Sequence, residues 1–283
     1  MKTNNISALK ASLSLILLLF LGNCFAGTKH FVATADTTDL KLKCTYRLTY
    51  QPDSTDSRSL LTEDMLLYIG DSFSEFQSLN NSLLDSVVVD LEQKGGMEYL
   101  QKNGIDASVL PKTKFKYKIY KNYPKGEITV VDKILTEKYR YAEPKNLFDW
   151  KISPEKATIA GYNCQKATTE FGGRKYEAWF TSELPISEGP YKFNGLPGLI
   201  VKVNDMEKHY TFELISLKQP KEAAKVIFPS DRLITTTKIE FNKGLKDFND
   251  NMVARLGLNA SEEVNRRAKE RAKKRNNPIE LAE

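Results

Sequence analysis

The chain has 283 residues, with 42 Lys and Arg against 36 Asp and Glu, 41% apolar side chains, two histidines and three cysteines. This much apolar surface can build a sizeable core, which argues against a disordered, collagenous or disulfide-dense chain. With two histidines, no Cys-x-x-Cys pair, no phosphate-binding Gly-x-x-x-x-Gly-Lys-Ser/Thr loop and no dinucleotide fingerprint, the sequence also argues against multi-histidine metal, structural zinc, nucleotide and nicotinamide sites. No metal and no cofactor are expected.

At the N-terminus, Lys2 and Lys10 flank the start of an apolar run, Leu13 to Leu21, which small residues follow in the order of a secretory signal peptide. Two processing patterns fit residues 1–26. Cleavage after Ala26 yields a plain exported protein, whereas cleavage before Cys24 yields a lipoprotein. Asn23 stands where a lipobox prefers a small residue and favours the first. The run is well short of the ~20 apolar residues that cross a membrane, and no later segment approaches that length. The mature chain keeps Cys44 and Cys164 in a compartment that permits disulfides. A bond between them and two separate buried thiols both remain open, because spacing does not reveal proximity.

Residues 27–38 read as a disordered leader, 39–241 as one antiparallel β-rich domain and 242–283 as a helical, basic extension. Leu40, Leu42, Cys44, Tyr46, Leu48 and Tyr50 alternate with polar residues, the period of a strand with one face on a core and one on water. Met65 to Ile69 and Phe73 to Phe76 predict two more strands around Gly70-Asp71-Ser72. Leu83, Leu84, Val87, Val88 and Leu91 switch to helical spacing, which Gly95-Gly96 interrupts. Strands are then predicted at Lys114 to Tyr120, Glu127 to Val131, Lys138 to Ala142 and Phe148 to Ile152. Tyr162 to Phe171 and Lys175 to Thr181 form a hairpin about Gly172-Gly173, since both turn residues tolerate positive φ. Leu199 to Val203 and His209 to Leu217 complete the sheet. Gly244 to Leu256 is a short helix, and Ser261 caps a last one. The predicted fold is mainly β, of the α+β class: a curved antiparallel meander or half-barrel with an early helix and C-terminal helices.

No pattern of residues amounts to a catalytic site. His209 is the single histidine available to a triad, and a strand histidine with a structural or solvent-facing role suits its position better. Carboxylates are plentiful, but none is paired by spacing. Seven basic and three acidic residues fall between Glu262 and Arg275, so this segment carries a net +4. An anionic membrane surface would suit it, and a solvated charged helix is the simpler alternative; export argues against nucleic acid. The loop Pro185 to Gly198 holds three prolines and three glycines around Tyr191 and Phe193. Loops of this length are often functional, although these side chains can equally fold back and plug the core. Within it, Gly195, Pro197 and Gly198 set a sharp turn, with Leu196-Pro197-Gly198-Leu199 matching a type II turn.

The stretch AWFTSELPISEGPYKFNGLPGLIVKV, Ala178 to Val203, resembles the core of the GLPGLI family of secreted Gram-negative bacterial proteins. The resemblance extends through Trp150-Lys151-Ile152, Ile159 to Ala167, Gly172-Gly173-Arg174 and the ending Asn277-Pro278-Ile279-Glu280-Leu281. It implies an exported, β-rich envelope protein and carries over no catalytic residue. The hairpin with its Trp-containing strand is also similar to the curved sheets of envelope lipoprotein carriers, which hold acyl chains on a concave face. One functional reading is therefore a non-enzymatic module that binds a lipid or other apolar ligand, or an envelope protein, through Trp179, Tyr191, Phe193 and Leu196. The other is a periplasmic hydrolase using separated carboxylates. Two or more desolvated carboxylates lining one cleft would favour the hydrolase, and an apolar groove without them the binder.

Overall fold

The computed structural model describes residues 35–104, 106, 108–229, 232–251 and 262–281. The signal segment, most of the leader, residues 252–256 of the predicted helix and the cap Ser261 lie outside the described residues. The fold is mainly β: thirteen strands share one curved, open sheet, with the helices attached to it.

Two meanders build the sheet. Strands β1 (Thr37–Tyr50), β2 (Leu61–Gly70), β3 (Ser74–Ser78), β4 (Lys118–Lys121), β5 (Glu127–Ile134) and β6 (Glu137–Pro144) pair in sequence, each antiparallel to the last. A second run, β7 (Lys151–Ile159), β8 (Tyr162–Phe171), β9 (Arg174–Thr181), β10 (Leu199–Asp205) and β11 (Tyr210–Lys218), does the same and closes back on β1. The short β12 (Lys225–Ile227) pairs with the start of β1, and β13 (Ile234–Thr235) adds to β6 as the one parallel pair among the described residues. Thr37 and Thr38 of β1 belong to the stretch expected to be a disordered leader.

The link between the meanders dictates the curvature. In the sheet, β6 and β7 are ten strand spacings apart, ~48 Å if the sheet were flat. Only the six residues 145–150 join them, and a fully extended chain of that length reaches ~25 Å from Pro144 to Lys151. The sheet must therefore curl until its two ends approach, and Phe148 and Trp150 cross the hollow on the way.

The hollow is the core. The alternating residues of β1 place Leu42, Cys44, Tyr46, Leu48 and Tyr50 inside, all buried, as their period of two requires. Ile119 of β4, Ile128 and Val130 of β5, Tyr176, Ala178 and Phe180 of β9 and Phe212 of β11 join the same cluster. Cys44 and Cys164 are both free and buried, so the disulfide is not formed. Three strands separate β1 from β8, which puts the cysteines ~19 Å apart along the sheet, against the ~7 Å limit for a bridge. Burial pushes the Cys44 thiol up to about 12, so it is inert as a thiolate.

Helix α1 (Leu79–Gln93) starts earlier than its apolar spacing suggests, because the Ser78 side chain caps it by accepting from the Asn81 amide. The Gly95-Gly96 interruption is real, but a second helix, α2 (Gly96–Asn103), follows at once. Thr237 and Glu240 form a reciprocal capping box at the start of α3 (Lys238–Asp250), whose Phe241 is buried. The last helix, α4, covers Glu262–Lys273. No described helix is long and apolar enough to cross a membrane.

The Gly172-Gly173 hairpin forms as expected, with both residues at positive φ between paired Phe171 and Arg174. The turn at Pro197 is tighter than the type II form: the Gly198 amide donates to the Leu196 carbonyl at 2.8 Å, while Leu199 donates across the loop to Leu184. The reason is crowding. A Cβ on Gly198 would lie 2.1 Å from the Thr181 carbonyl oxygen, whereas one on Gly195 would meet only the Trp150 ring at 3.6 Å. Replacing Gly198 with Ala should therefore cost ~2–4 kcal/mol of stability. Gly195→Ala should cost ~1 kcal/mol, for its positive φ alone. Urea unfolding of the two variants checks the order, and equal losses would contradict it.

Candidate functional site

The loop that the sequence singles out is folded inward. Seventeen residues, Ser182 to Gly198, join the adjacent strands β9 and β10. Tyr191, Phe193 and Leu196 are at most 6% exposed and belong to the main core cluster. Phe193 packs against Phe148, Trp150, Phe171, Tyr176 and Tyr191. Each fully buried side chain of this size stabilises by ~1.5–3 kcal/mol. Trp179 is not buried with them and only packs against the margin of the cluster. It alternates with the core-facing Ala178 and Phe180 and lies half-buried on the outer face, its indole N–H donating to Glu177 at 3.0 Å and its ring under Lys166.

A buried loop must satisfy its backbone, and here the sheet does so with polar side chains that point inward. Lys121 of β4, with a fully buried side chain, donates to the Gly189 and Phe193 carbonyls and pairs with Glu188 at 2.6 Å. The Tyr46 hydroxyl donates to the Ile200 carbonyl at 2.8 Å, and the Trp150 indole N–H to the Asn194 carbonyl at 2.8 Å.

A second polar cluster fastens the loop to the chain's end. Lys192, 1% exposed at its side chain, pairs with Glu280 at 2.6 Å and with Glu143 of β6. Lys238 at the start of α3 pairs with the same two glutamates, and the Tyr191 hydroxyl donates to Glu280. Two cations thus face two carboxylates in a closed, neutral set. Burial works to raise the Glu280 carboxyl, but Lys192, Lys238 and Tyr191 outweigh it and hold the group below its ordinary 4.5.

The segment 276–281 crosses the end of the sheet as a strap. Arg174 donates to the Asn277 side chain and to the Pro278 and Ile279 carbonyls, and pairs with Asp205 at 2.9 Å. Tyr176 and Tyr210 donate to the Ile279 and Asn277 carbonyls, and Leu281 donates to Gly172. Glu280 itself would meet any Cβ placed on Gly172, at 2.9 Å. Asp205, Glu207 and His209 lie close enough to suggest a cation site. They do not suit one, because Arg174 sits 2.9 Å from Asp205 and 3.3 Å from His209, and the second Asp205 oxygen accepts from the Tyr210 amide.

Beside the strap lies a cleft of about 360 Å³ that sequence reasoning did not find. Its floor is Tyr50, Phe115 and Tyr210, the first two edge to face at 4.9 Å and Tyr50 stacked on Tyr210 at 6.2 Å. Leu61, 46% exposed, and Pro278 extend the apolar wall. Lys114, Lys274 and Arg275 stand at the rim, and no carboxylate lines the cleft. Within α4, Glu263 and Glu270 pair with Arg266 and Arg267, which offsets much of the helix's positive charge. Lys274 and Arg275, just past the helix, have no such partner among the described residues.

A family model described as a protein of unknown function (Porph_ging) matches residues 171–202, a stretch that runs from the β8–β9 turn through the buried loop into β10. No curated protein matches. Two crystal structures of PNGF-II, in P21 and C2 space groups, are similar over 74% of this chain, at 14% and 15% identity and TM-scores of 0.48 and 0.49. This chain spans about a third of their length, 34% and 33%.

Three variants test these buried charges by their stability. Lys192→Met leaves Glu143 and Glu280 short of a cation and should cost ~3–5 kcal/mol at pH 7. Because the folded carboxyl of Glu280 lies below its unfolded 4.5, its stabilisation is present above that value and fades as pH falls through the folded one. Urea midpoints measured between pH 5 and 3 should therefore fall less steeply for Glu280→Gln than for the parent. Asp132 is the opposite case: desolvation on the inner side of β5 pushes its carboxyl up to about 6, despite the Lys133 amide and the charges of Lys116 and Lys133. Ionising it costs stability as pH rises from the unfolded 3.8 through 6. Asp132→Asn, whose amide oxygen can keep the Lys133 contact, should stabilise by ~1–3 kcal/mol at pH 8 and not at pH 4, as judged by thermal unfolding.

Proposed function

We propose that the protein is an exported, non-enzymatic binding module of the bacterial envelope, and that its ligand surface is the aromatic cleft beside the C-terminal strap. Export rests on the signal-like N-terminus and on the resemblance to the GLPGLI family; the cleft supports binding. A pocket with apolar walls and a few polar groups at its mouth suits a small ligand, and its volume is at the low end for such sites. The buried loop takes up the inside of the curved sheet, so the concave face offers no groove for Tyr191, Phe193 or Leu196 to line.

The carboxylate arrangement does not support the hydrolase. The buried acids Glu188 and Asp205 and the half-buried Glu143 and Glu280 each pair with a lysine or arginine. Glu63 accepts from Ser78 and Thr113. Asp132 and Glu75 both have pKa values raised by burial; Asp132 has no second carboxylate beside it in a cleft among the described residues, and Glu75 is countered by Lys118 at 3.6 Å. The groove next to α1, about 410 Å³, is lined by Asp85 and Asp90, but neither is buried and each is paired, with Lys118 and Lys94, at 2.7 Å.

The observation that carries the proposal is the aromatic floor of Tyr50, Phe115 and Tyr210 at the bottom of a cleft that no carboxylate lines. Native mass spectrometry of mature protein purified from its own envelope should show a co-purifying molecule that denaturation releases. Leu61→Asp, at a 46% exposed position on the cleft's wall, should lose that molecule while keeping the parent's unfolding stability within ~1 kcal/mol. Recovery of no bound molecule from the parent would sink the reading.

A further inference from the structure

The chemistry of the cleft can be read beyond its apolarity. Three cations converge on one mouth: Lys114 in the segment before β4, and Lys274 and Arg275 from the chain beyond α4. None of the three makes an ion pair among the described residues. The crowding is felt electrostatically, since burial first, then Arg275 and Lys116, hold the Lys114 ammonium below its ordinary 10.5. Like charges so placed repel one another unless an anion sits between them.

The walls point to the same ligand. Tyr50 is 5% exposed and lines the cleft, and its hydroxyl has no hydrogen-bond partner among the described residues. A phenol there can donate to an anionic oxygen. Tyr210, by contrast, is committed to the Asn277 carbonyl at 2.7 Å, so it serves as wall. The nearest carboxylates act on the rim through space, Glu63 on Lys114 and Asp53 with Lys274, but none of their hydrogen bonds among the described residues goes to one of these cations' charged ends. Glu63 accepts from Ser78, Thr113 and the Lys114 amide, and Asp53 from Thr55 and Asn276.

We infer that the cleft binds a single amphipathic anion, with its ring or short chain on Tyr50, Phe115 and Tyr210 and its carboxylate, sulfate or phosphate head between Lys114, Arg275 and the Tyr50 hydroxyl. Arg275 suits such a head because its planar fork matches a carboxylate or phosphate edge. A volume of about 360 Å³ holds one ring system or one short chain and is too small for a two-chain membrane lipid. This inference rests on the binding-module reading and adds charge selectivity to it.

Calorimetric titration of the mature protein with decanoate and with decanol, both below their aggregation limits, tests it. Decanoate should bind at least about ten-fold more tightly, because its head gains charge-assisted contacts that decanol cannot make. The double variant Lys114→Gln, Arg275→Gln changes only exposed side chains. It should reduce decanoate to the level of decanol and leave decanol unchanged. Equal binding of the two probes to the parent would overturn the anion inference and leave the binding module standing. Binding of neither, together with no co-purifying molecule, would remove both. Sedimentation with vesicles containing anionic phospholipid, if it depended on Lys114 and Arg275 while decanoate failed to bind, would assign the cations to a membrane surface and overturn the inference.

Discussion

Six residues between two distant strands set the problem that the rest of this structure solves. Because 145–150 must carry the chain from β6 to β7, a sheet ten spacings wide cannot stay flat, and its curling creates an interior. An interior must be filled to near-solid density, or the lining loses its dispersion contacts. Strand side chains fill part of it. The loop between β9 and β10 fills much of the rest with Tyr191, Phe193 and Leu196, and the crossing itself contributes Phe148 and Trp150.

Filling a core with a loop brings backbone amides and carbonyls inside, where unsatisfied groups are costly. This accounts for polar side chains at positions where an apolar residue would otherwise pack. Lys121 follows Phe115, Tyr117 and Ile119 along an alternating face, yet it ends in an ammonium that reaches two loop carbonyls and one loop carboxylate. Lys192 brings a second charge from the loop itself, and the glutamates that neutralise it come from β6 and from the strap. The loop, the sheet and the chain's end are thereby coupled. A buried ion pair contributes little net stability but is costly to break, so this coupling selects one seating of the loop more than it adds to stability.

Much of the fold was legible in the sequence because periodicity reports local burial. The run Leu42 to Tyr50, the Gly172-Gly173 hairpin and the helix after Phe76 each rest on neighbours within a few residues. The failures have a different cause. β7 begins at Lys151 and not at Phe148, because Phe148 and Trp150 alternate like a strand yet pack inward from a crossing. The helix Gly96–Asn103 has too few apolar positions to register beside α1. Cys44 and Cys164 invited pairing by count, whereas only strand order could show the distance between them.

The cleft proposed as the ligand surface was hidden for the same reason. Tyr50 ends one alternating strand, Phe115 lies in the segment leading to another and Tyr210 begins a third, so each looks like an ordinary core residue in its own segment. They meet only because β11 closes back on β1, and the strap that walls their cleft comes from the far end of the chain. The stretch with the most distinctive letters, Phe193 to Val203, instead serves the interior. Gly198 permits a contact with the Thr181 carbonyl that no side chain would allow, and Leu199, Val201 and Val203 are buried. A distinctive motif marks where the backbone is most constrained, and a binding surface needs side chains that the fold has not already used. In the proposed cleft those side chains lie at strand ends and beside the strap, where three aromatic rings meet and three cations are without an ion pair among the described residues.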